Sequence, residues 1–421
     1  MTELTRSRLD ASVSALQVAL GMTRPADAAL RLFFRDHPEL GQRDRGFVAE
    51  LVFTVLRHLR LLEHLTGEPQ PRRLALAALS LQLGFSVREL TPNLARGDDA
   101  WLAEARAVDQ RRLPPPVRLS LPDWLYDRIA QERNEGEIEA LARGLLQPAP
   151  LDLRVNTMLA KRSEVLAAFE RDNIVAAATP YSPTGVRLDG KPALQRHPLF
   201  LEGKVEVQDE GSQLLAFLVA PRRREMVVDF CAGAGGKTLA LGALMHSEGR
   251  VYAFDTAVKR LSNLKPRLRR SGLSNVHPQL IAGAADARVR RLTSKIDRVL
   301  VDSPCSGLGT LRRNPDLKWR QGPQAVAEMT AKQRTILDAA AQLVKPGGRL
   351  VYATCSLLRE ENEAVVDAFL DAHPQFARIH CGEILRRQGI ELDTGPYFRV
   401  FPHAHGMDGF FAGVLERGRE G

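Results

Sequence analysis

Hydrophobic residues near the start of the chain recur at the three- and four-residue spacing of amphipathic helices. The repeat runs through residues 9–20 and returns over residues 47–59, shortly after Asp44, which we interpret as a helix N-cap. A stretch with this spacing buries one face of each helix against its neighbours. The pattern therefore predicts an all-α domain over residues 1–115.

The pattern changes at residues 111–124, RRLPPPVRLSLPDW, where prolines interrupt the helical spacing and predict a linker. Short apolar runs then alternate with segments of helical spacing. Helices are predicted near 123–146 and 162–171, and strands at 151–156, 186–188 and 203–208. We interpret residues 116–205 as a small α+β subdomain.

From about residue 225 onward, short and strongly apolar runs alternate with polar or helical segments. The runs lie at 226–230, 250–255, 277–283, 297–304 and 349–355. Such runs are typical of strands buried on both faces. Their alternation with helices predicts a Rossmann-like, doubly wound and mostly parallel sheet over 206–421, hence an α/β fold. Ligands bind at the carboxyl ends of the strands in sheets of this kind.

Composition narrows the class of protein. The 421 residues are 44% hydrophobic and 26% charged, as in globular proteins. No apolar run approaches the roughly 20 residues of a membrane span, and the amino terminus is too polar for a signal peptide. The four cysteines form no CxxC pair and no zinc-type spacing, which predicts neither disulfides nor a bound metal. We expect a cytoplasmic monomer.

Positive charge is concentrated in one part of the chain. The chain carries a formal net charge of +9 with a pI of about 9.6. Residues 256–320 hold 15 lysines and arginines against 4 acidic residues. A local excess of this size favours a polyanionic partner such as RNA, whereas solvated helix faces are the alternative interpretation.

A glycine-rich loop follows the first strand of the predicted sheet. Its sequence, DFCAGAGGKT (229–238), permits three interpretations. A P-loop needs glycine where Cys231 stands, and a dinucleotide fingerprint starting at Gly233 needs glycine where Thr238 stands. The third interpretation is an S-adenosylmethionine loop, in which the glycines let the backbone approach the ligand.

Carboxylates at successive strand ends favour the third interpretation. Asp229 would repel a polyphosphate but suits a ligand that carries an ammonium and a sulfonium group. Asp255 follows the next strand, where a carboxylate can accept both hydroxyls of a ribose. Asp286, after the third strand, is placed to accept the adenine amino group. Three such residues in order predict an S-adenosylmethionine site.

Two of the cysteines also stand at predicted strand ends, Cys305 in DSPCSG and Cys355 in YATCS. The C5 carbon of a pyrimidine is a poor nucleophile, and addition of a thiolate at C6 makes C5 reactive enough to accept a methyl group. Asp302 is placed to hold the polar edge of such a base. We interpret Cys381 and the thiol of Cys231 as packing groups.

Several longer motifs resemble one family. They are DFCAGAGGKT, DSPCSGLGTLRRNPDLKW (302–319), YATCSLLREENEAVV (352–366) and MDGFF (407–411). The series is similar to that of the RsmB/Sun/NOP family of S-adenosylmethionine-dependent RNA cytosine-C5 methyltransferases. LPDWLYDRI (121–129) and VEVQDEGSQ (205–213) resemble the linker subdomain of that family. RDRGFVAELVFTVLR (43–57) resembles the NusB-like, RNA-binding domain of its RsmB branch.

The resemblance implies a role for each matching residue. It implies that the thiol of Cys355 attacks the base and that Cys305 assists release of the product. Asp302 and Lys237 match the acid that contacts the base and its partner lysine. The matching cofactor positions are Cys231, Ala232, Gly233, Ala234, Gly235, Gly236, Lys237, Asp255, Asp286 and Asp302. The implied substrate is RNA, most specifically small-subunit ribosomal RNA.

Two other functions compete with methyl transfer. A P-loop NTPase is supported by the GKT triplet at 236–238 and by VLVD (299–302), which imitates a Walker B strand. An RNA-binding assembly factor that has lost its activity is the second rival. The missing first glycine and the presence of Asp229 argue against the NTPase, and the intact pair of Cys305 and Cys355 argues against the inactive assembly factor.

Overall fold

The computed structural model describes residues 4–67 and 69–419, and these residues form two compact units. The first unit runs to Pro148 and also includes residues 310–323. The second unit contains Ala149–Gly309 and the described residues from Gln324 onward. A segment from the later part of the chain therefore folds with the amino-terminal helices.

Up to Pro148 the first unit is built from helices: α1 (Arg6–Leu20), α2 (Ala26–Asp36), α3 (Gln42–Arg57), α4 (Leu59–Thr66), α5 (Pro71–Leu81), α6 (Val87–Leu90), α7 (Asp98–Ala107), α8 (Pro115–Arg118), α9 (Asp123–Ala130) and α10 (Glu135–Leu146). Short 3₁₀ turns cover Thr91–Asn93 and Gln110–Arg112. The spacing of apolar residues predicted this: Leu9, Leu16 and Val48 are fully buried in one core. The helical character of this region is confirmed, and its likeness to a NusB-like domain stays a prediction.

Two boundaries in this unit differ from the prediction. Helix α3 begins at Gln42, so Asp44 lies in its first turn, where a carboxylate complements the helix dipole, and is not the N-cap. The helix predicted near 123–146 is two helices. Asn134 accepts the backbone N–H of Glu137, and Glu137 accepts that of Asn134, each at 3.0 Å. This capping box starts α10 afresh.

Residues 310–323 are held in the first unit by side chains that bond to helix backbones. The Lys318 amine donates to the carbonyl of Arg57 at 2.7 Å, and the Trp319 indole donates to that of Leu56 at 2.7 Å. Asp316 accepts the N–H of Ala26 at 3.2 Å. Arg312 is 6% exposed. The sequence left two interpretations of the basic stretch open, an RNA-binding surface and solvated helix faces, and Arg312 and Lys318, which are buried, fit neither.

The second unit begins with a small antiparallel sheet. Its elements are β1 (Leu151–Val155), α11 (Arg162–Arg171), β2 (Ala176–Ala178), β3 (Gly185–Leu188), a 3₁₀ turn (Leu194–Arg196), α12 (Pro198–Leu201) and β4 (Val205–Val207). The strand order is β2-β3-β1-β4. The predicted α+β character is confirmed. Strand β2 was not predicted, because its three alanines carry no alternation of apolar and polar residues.

The main sheet of the second unit has the predicted Rossmann-like form. Its strands are β5 (Met226–Asp229), β6 (Arg250–Asp255), β7 (Val276–Leu280), β8 (Ile296–Asp302), β9 (Val344–Thr354), β10 (Phe376–Ile379), β11 (Phe398–Val400) and β12 (Phe410–Arg417). The helices from here on are α13 (Glu210–Val219), α14 (Gly236–Leu244), α15 (Val258–Ser271), α16 (Ala287–Arg290), α17 (Leu317–Arg320, in the first unit), α18 (Pro323–Ala341), α19 (Glu363–Ala372), α20 (Cys381–Arg386) and α21 (Pro402–His405). Further 3₁₀ turns cover Leu308–Thr310 and Arg359–Glu361.

The order of the strands places the candidate residues. The order is β10-β12-β9-β8-β5-β6-β7, with β11 beside β12. Strands β5 to β9 are parallel, and β10, β11 and β12 join antiparallel at one side. The chain leaves β5 towards β6 and returns to its other side with β8. The loops after β5 and β8 therefore part from each other and leave a crevice.

Among the described residues, no helix is both long and apolar enough to cross a bilayer.

Candidate functional site

A cavity of about 1140 Å³ opens at the carboxyl ends of the parallel strands. The loop after β5, the ends of β6 and β8, the start of α13 and one side of α18 line it. Of the predicted site residues, the cavity is lined by Cys231, Ala232, Gly233, Ala234, Gly236, Lys237, Asp255, Asp302, Cys305 and Cys355. The fold thus brings together most of the residues that the sequence motifs indicated.

The glycine loop needs its glycines for backbone shape. Gly233 and Gly235 have φ values of +57° and +83°, a region that favours glycine. A Cβ on Gly235 would lie 2.1 Å from the side chain of Leu264, so α15 packs directly on the loop. A Cβ on Gly233 would meet nothing within 4 Å. The loop is therefore tight on the side of α15 and open at Gly233, which lines the cavity.

Asp255 holds the glycine loop from the next strand. One carboxylate oxygen accepts the N–H of Gly233 at 2.8 Å, and the other accepts that of Ala257 at 2.7 Å. The residue is buried and still lines the cavity. Each oxygen keeps a second lone pair, which can accept a hydrogen bond from a ligand hydroxyl.

Asp229 lies beneath the loop and is not among the residues that line the cavity. It is 1% exposed and accepts the hydroxyl of Thr238 at 2.6 Å. Burial raises the pKa of Asp229 to about 7 despite this hydrogen bond. The carboxyl was expected to face a cationic ligand, and the structure instead places it as an anchor for the start of α14.

The lysine of the GKT triplet also has a partner. The Lys237 amine donates to Asp302 at 2.7 Å, with 12% and 31% of the two side chains exposed. Burial lowers the pKa of Lys237, but the charge and hydrogen bond of Asp302 outweigh this and leave the pKa raised. Lys237 therefore stays cationic, and the GKT triplet is explained without a nucleotide triphosphate.

The two thiols meet at the edge of the cavity. The Sγ atoms of Cys305 and Cys355 are 3.4 Å apart, because their loops follow β8 and β9, which are neighbours in the sheet. The carbonyl of Cys355 accepts the N–H of Gly309 at 2.8 Å and ties the two loops together. The hydrogen bond to Cys355 and burial raise the pKa of the Cys305 thiol.

The other two cysteines differ from this pair. Cys381 is fully buried in the core, and burial raises its pKa to about 12. Burial likewise raises the pKa of the Cys231 thiol. Both thiols therefore stay protonated near neutral pH, which suits a packing role.

Two predicted cofactor residues do not line the cavity. Gly235 faces α15, as described above. Asp286 caps the four-residue helix α16 and accepts the N–H groups of Ala282 and Arg288, each at 2.8 Å. Ala282 and Gly283 line the cavity in its place. Asp286 holds this turn in place through its hydrogen bonds and does not itself line the cavity.

Sequence reasoning missed several residues of the site. Gln208 and Ser212 enter the cavity from the junction of β4 and α13, and Met329 and Lys332 enter from α18. Gln208 and Ser212 lie in VEVQDEGSQ (205–213), which was matched to the linker subdomain and not to the site. Met329 and Lys332 lie in none of the quoted motifs. Helical spacing could have shown that Met329 and Lys332 share one face of α18. It could not have shown that this face lines the cavity.

No group of histidine, cysteine and acidic side chains within residues 4–67 and 69–419 could hold a metal ion.

A glycine loop at the switch point of a Rossmann-like sheet, with carboxylates at the next strand ends, defines an S-adenosylmethionine-dependent methyltransferase. Comparisons with known proteins agree. The family described as 16S rRNA methyltransferase RsmB/F matches residues 216–416, and a ferredoxin-like domain of RsmF/B-like methyltransferases matches residues 121–195. The chain belongs to the RsmB/F family of ribosomal RNA methyltransferases, as its motifs predicted.

Individual relatives cover nearly the whole chain. It is 33% identical to a probable ribosomal RNA small subunit methyltransferase B of Synechocystis sp., over 96% of this chain and 100% of the relative. It is 30% identical to a protein of the same name from Bacillus subtilis, over 89% and 90% of the two chains. The crystal structure of PH0851 superposes with a TM-score of 0.79 at 26% identity, covering 99% and 100%. The protein is an S-adenosylmethionine-dependent RNA methyltransferase.

Proposed function

We propose that this enzyme methylates C5 of a cytosine in small-subunit ribosomal RNA through a covalent bond between Cys355 and the base. The observation that carries the proposal is the pair of thiols 3.4 Å apart in a cavity that also holds the Lys237–Asp302 ion pair. Methylation of an exocyclic nitrogen or a ribose hydroxyl requires no thiol, because those atoms are nucleophiles themselves. Methylation of C5 requires one.

The residues of the cavity fit S-adenosylmethionine. The backbone of residues 231–237 would approach the ligand at Gly233, where no side chain stands in the way. Asp255 would accept the ribose hydroxyls with its remaining lone pairs. Bound S-adenosylmethionine supplies the electrophilic methyl group that C5 receives. Asp286, a cofactor position by resemblance, would contribute only through the 282–284 turn.

Asp302 and Lys237 would orient the base. A flipped cytosine presents its N3 and N4 edge to the pocket, and Asp302 can accept a hydrogen bond from that edge. The Lys237 amine, 2.7 Å from the carboxylate, holds Asp302 in place. The same ion pair limits the rotation of Asp302, so the base has one favoured orientation.

The two thiols would act in sequence. The thiolate of Cys355 adds to C6, which makes C5 nucleophilic. After C5 receives the methyl group, a water molecule takes its proton. The electron pair of that C–H bond restores the C5–C6 double bond, and the bond between C6 and sulfur breaks with its electron pair left on Cys355. Cys305, whose pKa is raised, is still protonated and can donate a hydrogen bond to the departing sulfur. This assists release of the product, the role that the resemblance implies for Cys305.

Identification of the methylated nucleoside tests the proposal. Unmodified small-subunit RNA would be incubated with the enzyme and labelled S-adenosylmethionine, digested to nucleosides and examined by mass spectrometry. We expect 5-methylcytidine from the wild type and none from Cys355→Ala, with S-adenosylmethionine binding unchanged in the variant. A methyl group on any other atom, or full turnover by Cys355→Ala, would refute the proposed chemistry.

A further inference from the structure

A single buried carboxylate joins the turns that carry the two thiols. Each cysteine is followed by a serine, and both serine hydroxyls donate to the same oxygen of Glu361. The Ser306 hydroxyl does so at 2.5 Å, and its backbone N–H donates to the other oxygen at 2.8 Å. The two hydroxyls of Ser306 and Ser356 are themselves 3.2 Å apart. Glu361 has no solvent exposure.

Further contacts fix Glu361 and its surroundings. The Gln333 amide donates to the same carboxylate at 3.0 Å and to the carbonyl of Pro304 at 3.0 Å, so α18 is tied to the loop before Cys305. The Tyr352 hydroxyl donates to the carbonyl of Glu361 at 2.6 Å. Asn362 accepts the hydroxyl of Thr354 at 2.5 Å and donates to the carbonyl of Ser356 at 3.1 Å. The network leaves little freedom to either turn.

The arrangement has a direct consequence for the thiols. The two cysteine turns come from separate loops, and their sulfur atoms are adjacent only while both turns hold their places. Glu361 accepts hydrogen bonds from both turns and lies in a buried, low-dielectric environment, where its loss would leave several donors without an acceptor. The carboxylate therefore opposes any relative movement of the turns.

We infer that Glu361 is a positioning residue that sets the spacing of Cys305 and Cys355 through Ser306 and Ser356. Its importance for catalysis rests on the proposed function, because only a reaction that uses both thiols needs their spacing controlled. A misplacement of about 1 Å at a reacting group can lower a rate about 100-fold. The negative charge of Glu361 also helps to keep Cys305 protonated, after the hydrogen bond to Cys355 and burial.

The test compares Glu361→Gln with Glu360→Gln, the same change at the neighbouring position, where the side chain is partly exposed. We expect Glu361→Gln to lower kcat about 10- to 100-fold, with the Kd for S-adenosylmethionine near the wild-type value. Glu360→Gln should behave as the wild type. A wild-type kcat in Glu361→Gln would overturn the inference.

Thiol spacing can be measured without RNA. Diamide converts two adjacent thiols to a disulfide by accepting their two hydrogens, and mass spectrometry would follow the Cys305–Cys355 bond in each variant. We expect slower formation of this bond in Glu361→Gln. Loss of a nearby negative charge alone would ease ionisation of Cys305 and speed the oxidation, so a slower reaction reports geometry. An equal or faster reaction would overturn the inference.

Variants of the two serines complete the test, and they replace Glu361→Gln as the test if that variant does not fold. Ser306→Ala combined with Ser356→Ala removes the links to the turns and keeps the carboxylate. We expect this double change to lower kcat and slow the oxidation, and to add little when combined with Glu361→Gln. Fully additive effects, or wild-type behaviour of the double serine variant, would show that Glu361 does not act through the serines. The oxidation result holds whichever RNA base is methylated.

Discussion

At the scale of single residues, the chemistry depends on side chains whose neighbours decide what they do. Four cysteines share one thiol chemistry, yet only Cys305 and Cys355 face each other at a strand edge, and Cys381 is fully buried. A lysine such as Lys237 could bind a phosphate, but here its amine donates to the Asp302 carboxylate at 2.7 Å. The role of each residue therefore follows from its partner and its burial.

The roles of the two thiols lead to a prediction about Cys305→Ala. Without Cys305, addition of Cys355 and methyl transfer should proceed, but release of the product should be slow. We expect an RNA–protein adduct that survives denaturing gel electrophoresis and accumulates only when S-adenosylmethionine is present.

The control is Cys305→Ala combined with Cys355→Ala, which should give no adduct. An adduct from Cys355→Ala alone, with none from Cys305→Ala, would exchange the two roles. Absence of any adduct from an active Cys305→Ala enzyme would exclude a part for Cys305 in release.

At the scale of elements, the site is built where strands end and helices begin. Strand β5 ends at Asp229, the loop turns through two glycines with positive φ, and α14 begins at Gly236. The hydrogen bond from Thr238 to Asp229 fastens the start of the helix to the end of the strand. This junction holds the loop that lines the cavity. The stability that the junction contributes to the fold should depend on pH.

The raised pKa of Asp229 predicts the direction of that dependence. An unfolded chain loses this proton near pH 3.9, whereas the folded protein retains it up to about pH 7. The folded state binds more protons between these values, so the stability that Asp229 contributes should fall as pH rises from 4 to 7. Relative to Asp229→Asn, the wild type should lose about 2–4 kcal/mol over this range.

Thermal unfolding of both proteins in a series of buffers would measure this difference. The Asn variant keeps an acceptor for Thr238 and lacks the titrating group, so it isolates the effect of the proton. A difference in midpoint that stays constant from pH 4 to 7 would show that Asp229 ionises normally in the folded protein.

At the scale of the whole molecule, the structure places eight of the fifteen basic residues of 256–320 in three different settings. Arg267 and Arg270 form ion pairs with the buried Glu206, and Arg312 and Lys318 are buried in the first unit. Each of these four residues is therefore either paired with an acidic side chain or buried. Helix α15 carries the third group, which is exposed: Lys259, Arg260, Lys265 and Arg269. Since Arg260 also lines the cavity, we propose that α15 contacts the RNA backbone near the site.

A salt titration of RNA binding tests this surface. Lys259→Glu combined with Lys265→Glu should weaken binding and flatten its dependence on salt. Each lost phosphate contact should lower the slope of log K against log salt concentration by about 0.7–0.9. Fluorescence anisotropy with labelled small-subunit RNA would give the slopes.

The matched control is Arg291→Glu combined with Lys295→Glu. These exposed residues lie just before β8, towards the amino ends of the parallel strands and away from the cavity, and the change in charge is the same. The control should leave the slope near the wild-type value. An equal decrease in both variants would indicate a non-specific effect of net charge and would exclude a special role for α15.

Much of the fold could be predicted from the sequence, because its signals are local. Helical spacing identified the helical character of residues 1–115, and five apolar runs identified β5 to β9, since a strand buried on both faces must be apolar throughout. The antiparallel strands β10 to β12 were missed. They follow β9, after the part of the chain in which apolar runs alternate with helices, so no repeating pattern in the sequence indicates them.

The sequence by itself determined which residues stand at strand ends and which loop must bend at Gly233 and Gly235. It determined these because backbone conformation and strand burial depend on residue type and spacing. The tertiary structure alone decided what each side chain meets. It turned Asp229 inward, used Asp286 as a helix cap and brought Glu361 to both cysteine turns. Contacts between residues distant in the chain depend on packing, and no spacing within a motif encodes them.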